Sequence, residues 1–252
     1  MTGTNRVVLT TSTSNDVYYD MLLVFLVSLQ KAGEYTGEVR VDLLNGTDQN
    51  CADIMKLCPS AVINRIKTDS GMMPTVYTRP AQIRKALGDG YAQVAAIDAD
   101  IIVRKPIENI WDDLGPNTVK AWNKKKIPPL FPDGKSRKRW MTVKHPRLDK
   151  RACIQGGVQL YGNGPRTQEF YDEVMRRLGT QWKFWDGQII IYKMLRKKYA
   201  GITYLNLGPM YNDSFFNEQT VMWHVKHHHF TDPRWVKETQ KWKTQITALL
   251  SE

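Results

Sequence analysis

Two spacings of apolar residues alternate along the first hundred residues of the chain. Short apolar or every-second-residue patterns, which suit strands, are each followed by a longer segment with the spacing of a helix. Turn and helix-stop signals such as Asn45-Gly46 and Gly33 separate them. The pattern predicts strands at residues 6–11, 38–44, 61–66 and 91–97, and helices at 16–31, 49–57 and 78–88.

The same alternation returns in the second half of the chain. The elements predicted there are strands at 153–161, 202–207 and 220–224, and helices at 165–178 and 186–199. Strands that alternate with helices form a mainly parallel sheet covered on both faces, so the predicted fold class is α/β, doubly wound. Ligands of such sheets bind beyond the carboxyl ends of the strands, where Thr10 and Thr11 lie on the first strand. We therefore expect a nucleotide-sized site at that edge.

The most informative stretch is the end of the 91–97 strand, where Asp98 and Asp100 follow an apolar run. Residues two apart in an extended chain point the same way, so both carboxylates face one spot. Such a pair beside a buried strand is costly unless something compensates it, and Mg²⁺ and Mn²⁺ prefer oxygen ligands of this kind. A solvated turn explains an isolated Asp-x-Asp, but the apolar residues on both sides favour a metal site.

Composition narrows the class of protein. The 252 residues are 42% hydrophobic and 24% charged, which is typical of a globular protein of one large domain or two small ones. Three cysteines without a CxxC pair favour a reducing compartment over a disulfide framework. The longest apolar run, residues 21–29, is too short to span a bilayer, and no basic segment precedes it as in a signal peptide. We expect a cytoplasmic protein.

Basic charge is concentrated in one segment. The net charge is +11, of which residues 121–151 supply +9, whereas residues 1–120 carry −2. Four prolines and the lack of periodicity predict a long surface loop there. Clustered bases with aromatics are typical of polyanion binding, above all of nucleic acid. A solvated loop, or one drawn to anionic lipid head groups or phosphorylated glycans, is the alternative. The candidate acceptor-binding residues are Lys124, Lys125, Lys126, Lys135, Arg137, Lys138, Arg139 and Trp140.

Six motifs in one order resemble a known family. They are Arg79 before the metal strand, then AAIDADIIV with IENIW, IQGGVQLY, WDGQIII, LNLGPMYN and WHVKHHHFTDPRW. Together they resemble the GT-A fold glycosyltransferases, most closely the retaining, glycogenin- and galactosyltransferase-like family eight. The resemblance covers residues 6–235. It implies a Rossmann-like catalytic domain at 1–225, with the basic insertion at about 121–151, and a basic His/Trp-containing tail at 226–252.

The resemblance implies a nucleotide sugar, usually a UDP-sugar, bound with Mn²⁺ or Mg²⁺. Asp98 would contact both the ribose of the donor and the metal, Asp100 would bind the metal and take part in catalysis, and either His224 or His227 would complete the ligands. Arg79, Thr10 and Thr11 would contact the donor, with Gly156 and Gly157 beside its sugar. Asp186 and Gln188 would touch the sugar hydroxyls in catalysis, although Asp186 is also a candidate helix cap and the glycine pair a packing bulge.

The chain departs from the family pattern at three motifs. Thr11-Ser12-Thr13 replaces an Asp/Tyr signature, Gln155 replaces an Asn, and Pro233-Arg234 replaces a Lys-Pro. Base recognition and sugar identity are therefore left open, and so is whether a protein carboxylate or the leaving phosphate assists the reaction.

Three functions follow from the sequence. The first is glycosylation of a hydroxylated DNA base of the hydroxymethylcytosine type, which requires the base to leave the duplex. The second is transfer to a cell-envelope glycan or lipopolysaccharide at an anionic membrane surface. The third is a nucleic-acid binding protein without catalysis, and the intact pair Asp98 and Asp100 argues against it.

Overall fold

The computed structural model describes residues 5–14, 16–68, 73–123, 154–179, 186–196, 199–213, 218–224 and 231–252. The predicted basic loop from Lys124 onward and His227 lie outside these residues. The nine strands are β1 (Arg6–Thr13), β2 (Glu38–Leu44), β3 (Ala61–Ile66), β4 (Gln93–Ile97), β5 (Ile101–Val103), β6 (Thr118–Asn123), β7 (Ile154–Gly162), β8 (Thr203–Asn206) and β9 (Met222–His224), all within those ranges.

Seven of the strands form one central sheet in the order β3-β2-β1-β4-β7-β6-β8. The pairs β3–β2, β2–β1, β1–β4 and β6–β8 are parallel, whereas β7 is antiparallel to both β4 and β6. One strand, β7, is therefore reversed in a sheet that is otherwise parallel. The α/β class, with a mainly parallel sheet flanked by helices, is confirmed. The strands β5 and β9 form a second, two-stranded antiparallel sheet.

Helices cover both faces of the central sheet. They are α1 (Asp16–Lys31), α2 (Asp48–Leu57), α3 (Met73–Gly88), α4 (Pro165–Leu178), α5 (Asp186–Arg196) and α6 (Pro233–Ser251) within the described ranges. Alternate residues of β1 enter two cores: Val8 packs on the side of α1, α2 and α6, and Val7 and Leu9 pack on the side of α3, α4 and α5. Apolar side chains on both faces explain why the central strands are so hydrophobic.

Helix ends follow the chemistry of their caps. Thr47 accepts from the Asn50 amide N–H, and the Asn50 side chain accepts from the Thr47 N–H, so α2 begins at Asp48. Pro165 opens α4, and Gly179, at φ 57°, follows its last residue. The residue types that cap helices can be recognised in a sequence, so helix ends of this kind are predicted closely.

Several predicted boundaries differ from the structure, and two of them have a clear physical reason. Ser12 and Thr13 were predicted in a loop but belong to β1, because β2 continues beside them and pairs with both residues. The third helix was predicted to start at Thr78 but starts at Met73, so that Pro80 lies inside α3 rather than in its first turn. Proline lacks an N–H, which removes one hydrogen bond of the helix there without ending it.

The C-terminal tail forms a helix that the sequence pattern did not predict. Asp232 caps α6 by accepting from the Arg234 N–H at 2.9 Å. Trp235, Trp242 and Ile246 are buried on this helix and share the core of α1, α2 and β9. In the described part of the chain, no helix is both long and apolar enough to cross a bilayer.

Candidate metal centre

The turn between β4 and β5 places two carboxylates at the carboxyl edge of the central sheet. The Asp98 N–H donates to the Gly157 carbonyl at 2.8 Å, which extends the pairing of β4 and β7 by one residue. Ile101 then begins β5 in the second sheet, so Asp98 and Asp100 stand where the chain passes from one sheet to the other. This pairing fixes the backbone on both sides of the acidic pair.

The second sheet brings a histidine to the acidic pair from far along the chain. His224 ends β9 and lies opposite Ile101 in the antiparallel register. Its Nε2 is 3.2 Å from Asp100 Oδ1 and 3.5 Å from Asp98 Oδ2. One ligand atom from each of the three residues lies within 4.8 Å of the other two. The structure therefore groups Asp98, Asp100 and His224.

The donor set suits a divalent cation. His224 Nδ1 lies 2.8 Å from Asn212 Oδ1. An amide oxygen only accepts, so Nδ1 carries the proton of the neutral ring, and Nε2 is the nitrogen left to bind a cation. Two carboxylate oxygens and this nitrogen converge, and such a donor set matches the ligand preferences of Mn²⁺. The residues present fit the expected metal.

The site is open on its acidic side. The side chains of Asp98 and Asp100 are 35% and 23% exposed, whereas the His224 side chain is 7% exposed. A ligand can therefore reach the centre from the side of the carboxylates. Tyr18 of α1 stands near the acids: burial raises the pKa of its phenol, and the charge of Asp100 raises it further.

Arg79 of α3 holds the outer oxygen of Asp98. Its Nη1 forms an ion pair with Asp98 Oδ1, and its Nη2 donates to the Ala96 carbonyl at 2.7 Å. Burial lowers the pKa of this guanidinium. Of the nearby groups that oppose the shift, the Tyr161 phenol has the largest effect. Asp98 thus gives Oδ1 to Arg79 and turns Oδ2 towards His224.

Gly157 leaves room for the imidazole. A Cβ on this residue would lie 2.5 Å from His224 Cε1, closer still to Nδ1, and 2.8 Å from Asn212 Oδ1. Real side chains do not approach one another so closely, so only glycine fits beneath the ring. The structure thus gives this glycine a packing partner within the candidate site.

The other predicted site residues have different surroundings. Thr10 is buried, and its hydroxyl finds no hydrogen-bond partner in the described part of the chain. The Thr11 hydroxyl donates to Gln82 Oε1 at 3.4 Å. Gly156 lies in β7 beside Gly157. The remaining predictions concern side chains outside the described part of the chain: Asp186 and Gln188, whose backbone begins α5, His227, and the acceptor residues Lys124, Lys125, Lys126, Lys135, Arg137, Lys138, Arg139 and Trp140.

Sequence reasoning gave no role to Asn212. It follows the short 3₁₀ helix Pro209–Tyr211, is completely buried, and contacts the candidate metal-ligating histidine. Asn212 ends the LNLGPMYN motif, but its partner is 12 residues away and only the fold identifies it.

The central sheet and the helices that cover it form a GT-A fold. No protein-family model and no curated protein matches the chain. The GT-A fold is shared with solved glycosyltransferases. The bifunctional glycosyltransferase WbbM matches with a TM-score of 0.58 at 16% identity, over 98% of this chain and 52% of its own. The chain thus spans about half the length of WbbM.

Two other solved structures match over most of both chains. The galactosyltransferase LgtC, in complex with donor and acceptor sugar analogues, has a TM-score of 0.52 at 16% identity, over 96% of this chain and 95% of its own. Mouse xyloside xylosyltransferase 1 has a TM-score of 0.53 at 10% identity, over 88% and 98%. At such low identities the likeness establishes the fold, and the candidate metal centre lies at the edge of its sheet.

Proposed function

We propose that the protein is a metal-dependent, retaining glycosyltransferase that uses a nucleotide sugar, with a UDP-sugar as the first donor to test. The observation that carries this is the convergence of Asp98, Asp100 and His224 at the carboxyl edge of a GT-A sheet. That edge is where doubly wound sheets bind their ligands. The open acidic side leaves space for a diphosphate to complete the coordination of a metal ion.

Each residue has a definite task in this proposal. Asp98, Asp100 and His224 would hold Mn²⁺ or Mg²⁺, and the bound cation would supply positive charge that stabilises a diphosphate leaving group. Arg79 keeps the Asp98 carboxylate oriented through its outer oxygen. Gly156 and Gly157 form the floor beside the sugar, and Thr10 and Thr11 belong to the strand that borders the donor.

We assign Asp186 and Gln188 to the sugar hydroxyls. The backbone supports this assignment, because both residues lie in the first turn of α5, which packs on the sheet strand that carries Gly156 and Gly157. A carboxylate placed there accepts hydrogen bonds from sugar hydroxyls, and an amide both accepts hydrogen bonds from them and donates to them.

For the acceptor, we propose a hydroxylated base in DNA. The basic segment connects β6 to β7, and Asn123 at the end of β6 pairs with Ile154 at the start of β7. The start of β7 also carries Gly157, which pairs with Asp98. The segment with a net charge of +9 therefore leaves and re-enters the sheet at the edge that holds the candidate metal centre. A polyanion held there would lie beside the donor.

A sugar or glycan acceptor is the second candidate. It is favoured by the solved LgtC complex, which contains an acceptor sugar analogue. In that case the basic segment would meet phosphorylated glycans or anionic lipid head groups at a membrane surface.

The experiment is a screen of nucleotide sugars, each with Mn²⁺ or Mg²⁺, against DNA with and without hydroxymethylcytosine and against phosphorylated glycans. Sugar transfer is followed by mass. We expect transfer to the hydroxymethylated DNA alone.

Asp100→Asn should lower Mn²⁺ affinity at least about tenfold, while Asp112→Asn, which changes an exposed aspartate on the turn after β5, should not. Intact metal-dependent donor cleavage in Asp100→Asn would rule out the assigned metal site.

Salt dependence tests the acceptor separately. DNA affinity should fall steeply with salt, by a slope of about 0.9 for each phosphate contacted. Neutralising Lys135, Arg137, Lys138 and Arg139 should abolish that binding. The matched control neutralises four exposed bases elsewhere, Lys105, Arg177, Lys193 and Lys237. Binding to anionic vesicles without retention of DNA would refute the DNA acceptor and support the glycan acceptor.

A further inference from the structure

The buried side chain of Asn212 makes one hydrogen bond, to His224, within the described part of the chain. Asn212 Oδ1 lies 2.8 Å from His224 Nδ1, the ring nitrogen that faces away from the carboxylates. Among the described residues, the buried Asn212 Nδ2 group has no hydrogen-bond partner. A buried amide with an unpaired N–H₂ group costs stability. An apolar residue of the same size would avoid that cost but could not make the bond to His224.

The backbone holds Asn212 in place against β9. Asp213, the next residue, accepts from the His224 N–H at 2.8 Å and donates its own N–H to the Met222 carbonyl at 3.1 Å. The segment therefore runs along β9 as a bridge partner of Trp223. Gly157 closes the other side, because its missing side chain leaves space that Asn212 Oδ1 and the imidazole fill. Asn212 and His224 are thus enclosed as a pair.

We propose that Asn212 is a positioning residue that fixes the tautomer and the ring orientation of His224 for a divalent cation. The proposal rests on the metal site proposed above. Because the amide oxygen accepts the Nδ1 proton, Nε2 keeps its lone pair, and this is the atom 3.2 Å from Asp100 Oδ1. Partners of this kind on the second nitrogen of a ligating histidine commonly control metal affinity by about 10- to 100-fold.

Two variants of Asn212 separate positioning from space filling. Asn212→Leu preserves the volume and removes the acceptor, so we expect Mn²⁺ affinity to fall about 10- to 100-fold. Asn212→Asp keeps an oxygen in the same place and should retain affinity within about threefold of the wild type, because a carboxylate is a common partner for a ligating histidine. Mn²⁺ binding to the full chain is measured calorimetrically without any donor or acceptor.

The matched control is Thr220→Val. The buried Thr220 hydroxyl donates to Asp213 Oδ2 at 2.5 Å, so this variant loses a buried hydrogen bond beside the same segment without touching the imidazole. Its Mn²⁺ affinity should stay unchanged. If Thr220→Val weakened Mn²⁺ binding as much as Asn212→Leu, Asn212 would act through general stability alone, and the inference would be wrong.

A spectroscopic measurement on the wild type reports the tautomer directly, and a variant serves only to assign the signal. In protein loaded with diamagnetic Mg²⁺, two-dimensional imidazole ¹⁵N–¹H spectra should show His224 with its proton on Nδ1. His224→Gln identifies the signal. A proton on Nε2 in the Mg²⁺-loaded wild type would overturn the inference.

The metal site and the positioning role can fail separately. If the wild type binds neither Mn²⁺ nor Mg²⁺, the proposed metal site is wrong and the role of Asn212 falls with it. If the wild type binds Mn²⁺, Asp100→Asn abolishes binding and Asn212→Leu binds like the wild type, only the positioning role is refuted.

Discussion

Replacing Gly157 with alanine tests whether the candidate metal centre is as tightly packed as its geometry indicates. The new Cβ would stand 2.5 Å from His224 Cε1, while ordinary contact begins at 3.4 Å. The ring must therefore retreat by at least about 0.9 Å, the difference between those two distances, because Nδ1 lies closer still. Asn212 Oδ1 at 2.8 Å blocks part of the retreat, and the Gly157 carbonyl also holds the Asp98 N–H.

The size of this shift decides the expected effect. Metal–ligand distances in proteins are held to about 0.2 Å, so a movement of about 0.9 Å takes the imidazole out of bonding range. We expect Mn²⁺ affinity to fall at least tenfold, which is about 1.4 kcal/mol. Overpacking of this kind costs a further ~1–3 kcal/mol of folding free energy, and each kcal/mol lowers the Tm of a chain of this size by about 2–4 °C.

The assay combines Mn²⁺ calorimetry with thermal unfolding of the metal-free protein. Gly88→Ala is the control, because a Cβ at that helical position meets nothing within 4 Å. It should leave metal affinity unchanged and raise stability by up to about 1 kcal/mol. If Gly157→Ala bound Mn²⁺ like the wild type and kept its Tm, the close packing of Gly157 against the imidazole would not matter for the site, and the reasoning would fail.

Two further predictions concern the cores. Burial raises the pKa of Asp42 above its ordinary value, although the Asn64 amide opposes the shift. Because the folded-state pKa is the higher one, the charged Asp42 costs stability above that pKa, and the cost disappears as the pH falls through it. Asp42→Asn should therefore raise the Tm at pH 7 and change it less at pH 4; an equal effect at both pH values would contradict the assignment. Trp235→Ala on α6 should cost about 3–5 kcal/mol in urea unfolding, because Trp235 packs edge-on against Trp223 at 5.5 Å. Its neighbour Val236 is 52% exposed, and Val236→Ala should change stability by less than about 0.5 kcal/mol; similar losses for both would show that α6 is not docked.

Local patterns predicted most of the regular structure. The bounds of β2, β3, α1 and α4 agree with the predictions, since each has a clean periodicity and clear turn or capping residues at its ends. The errors occur where a neighbour in space decides. β1 is longer than predicted because β2 continues beside it. The helix α6 was not predicted, although it buries Trp235 and Trp242 against distant elements.

The candidate site likewise has features that a local sequence pattern predicts and features that depend on contacts between distant segments. That Asp98 and Asp100 face one spot follows from their spacing of two residues, and the resemblance of WHVKHHHFTDPRW to the family's closing histidine motif implied a ligand near the C-terminus. Between His224 and His227 the sequence could not decide. The structure places His224 beside the acids through the register of β5 and β9. That register depends on two strands more than a hundred residues apart, so no local pattern contains it.

The chain by itself determined an α/β protein with an acidic pair at the carboxyl end of a buried strand and with its positive charge gathered in one segment. These are properties of spacing and composition, which a linear sequence carries in full. Only the tertiary structure showed that His224 meets the acids, that Asn212 contacts it, and that a side chain on Gly157 would clash with its ring. Each of those facts is a contact between segments far apart in sequence, and such contacts exist only once the sheets have formed.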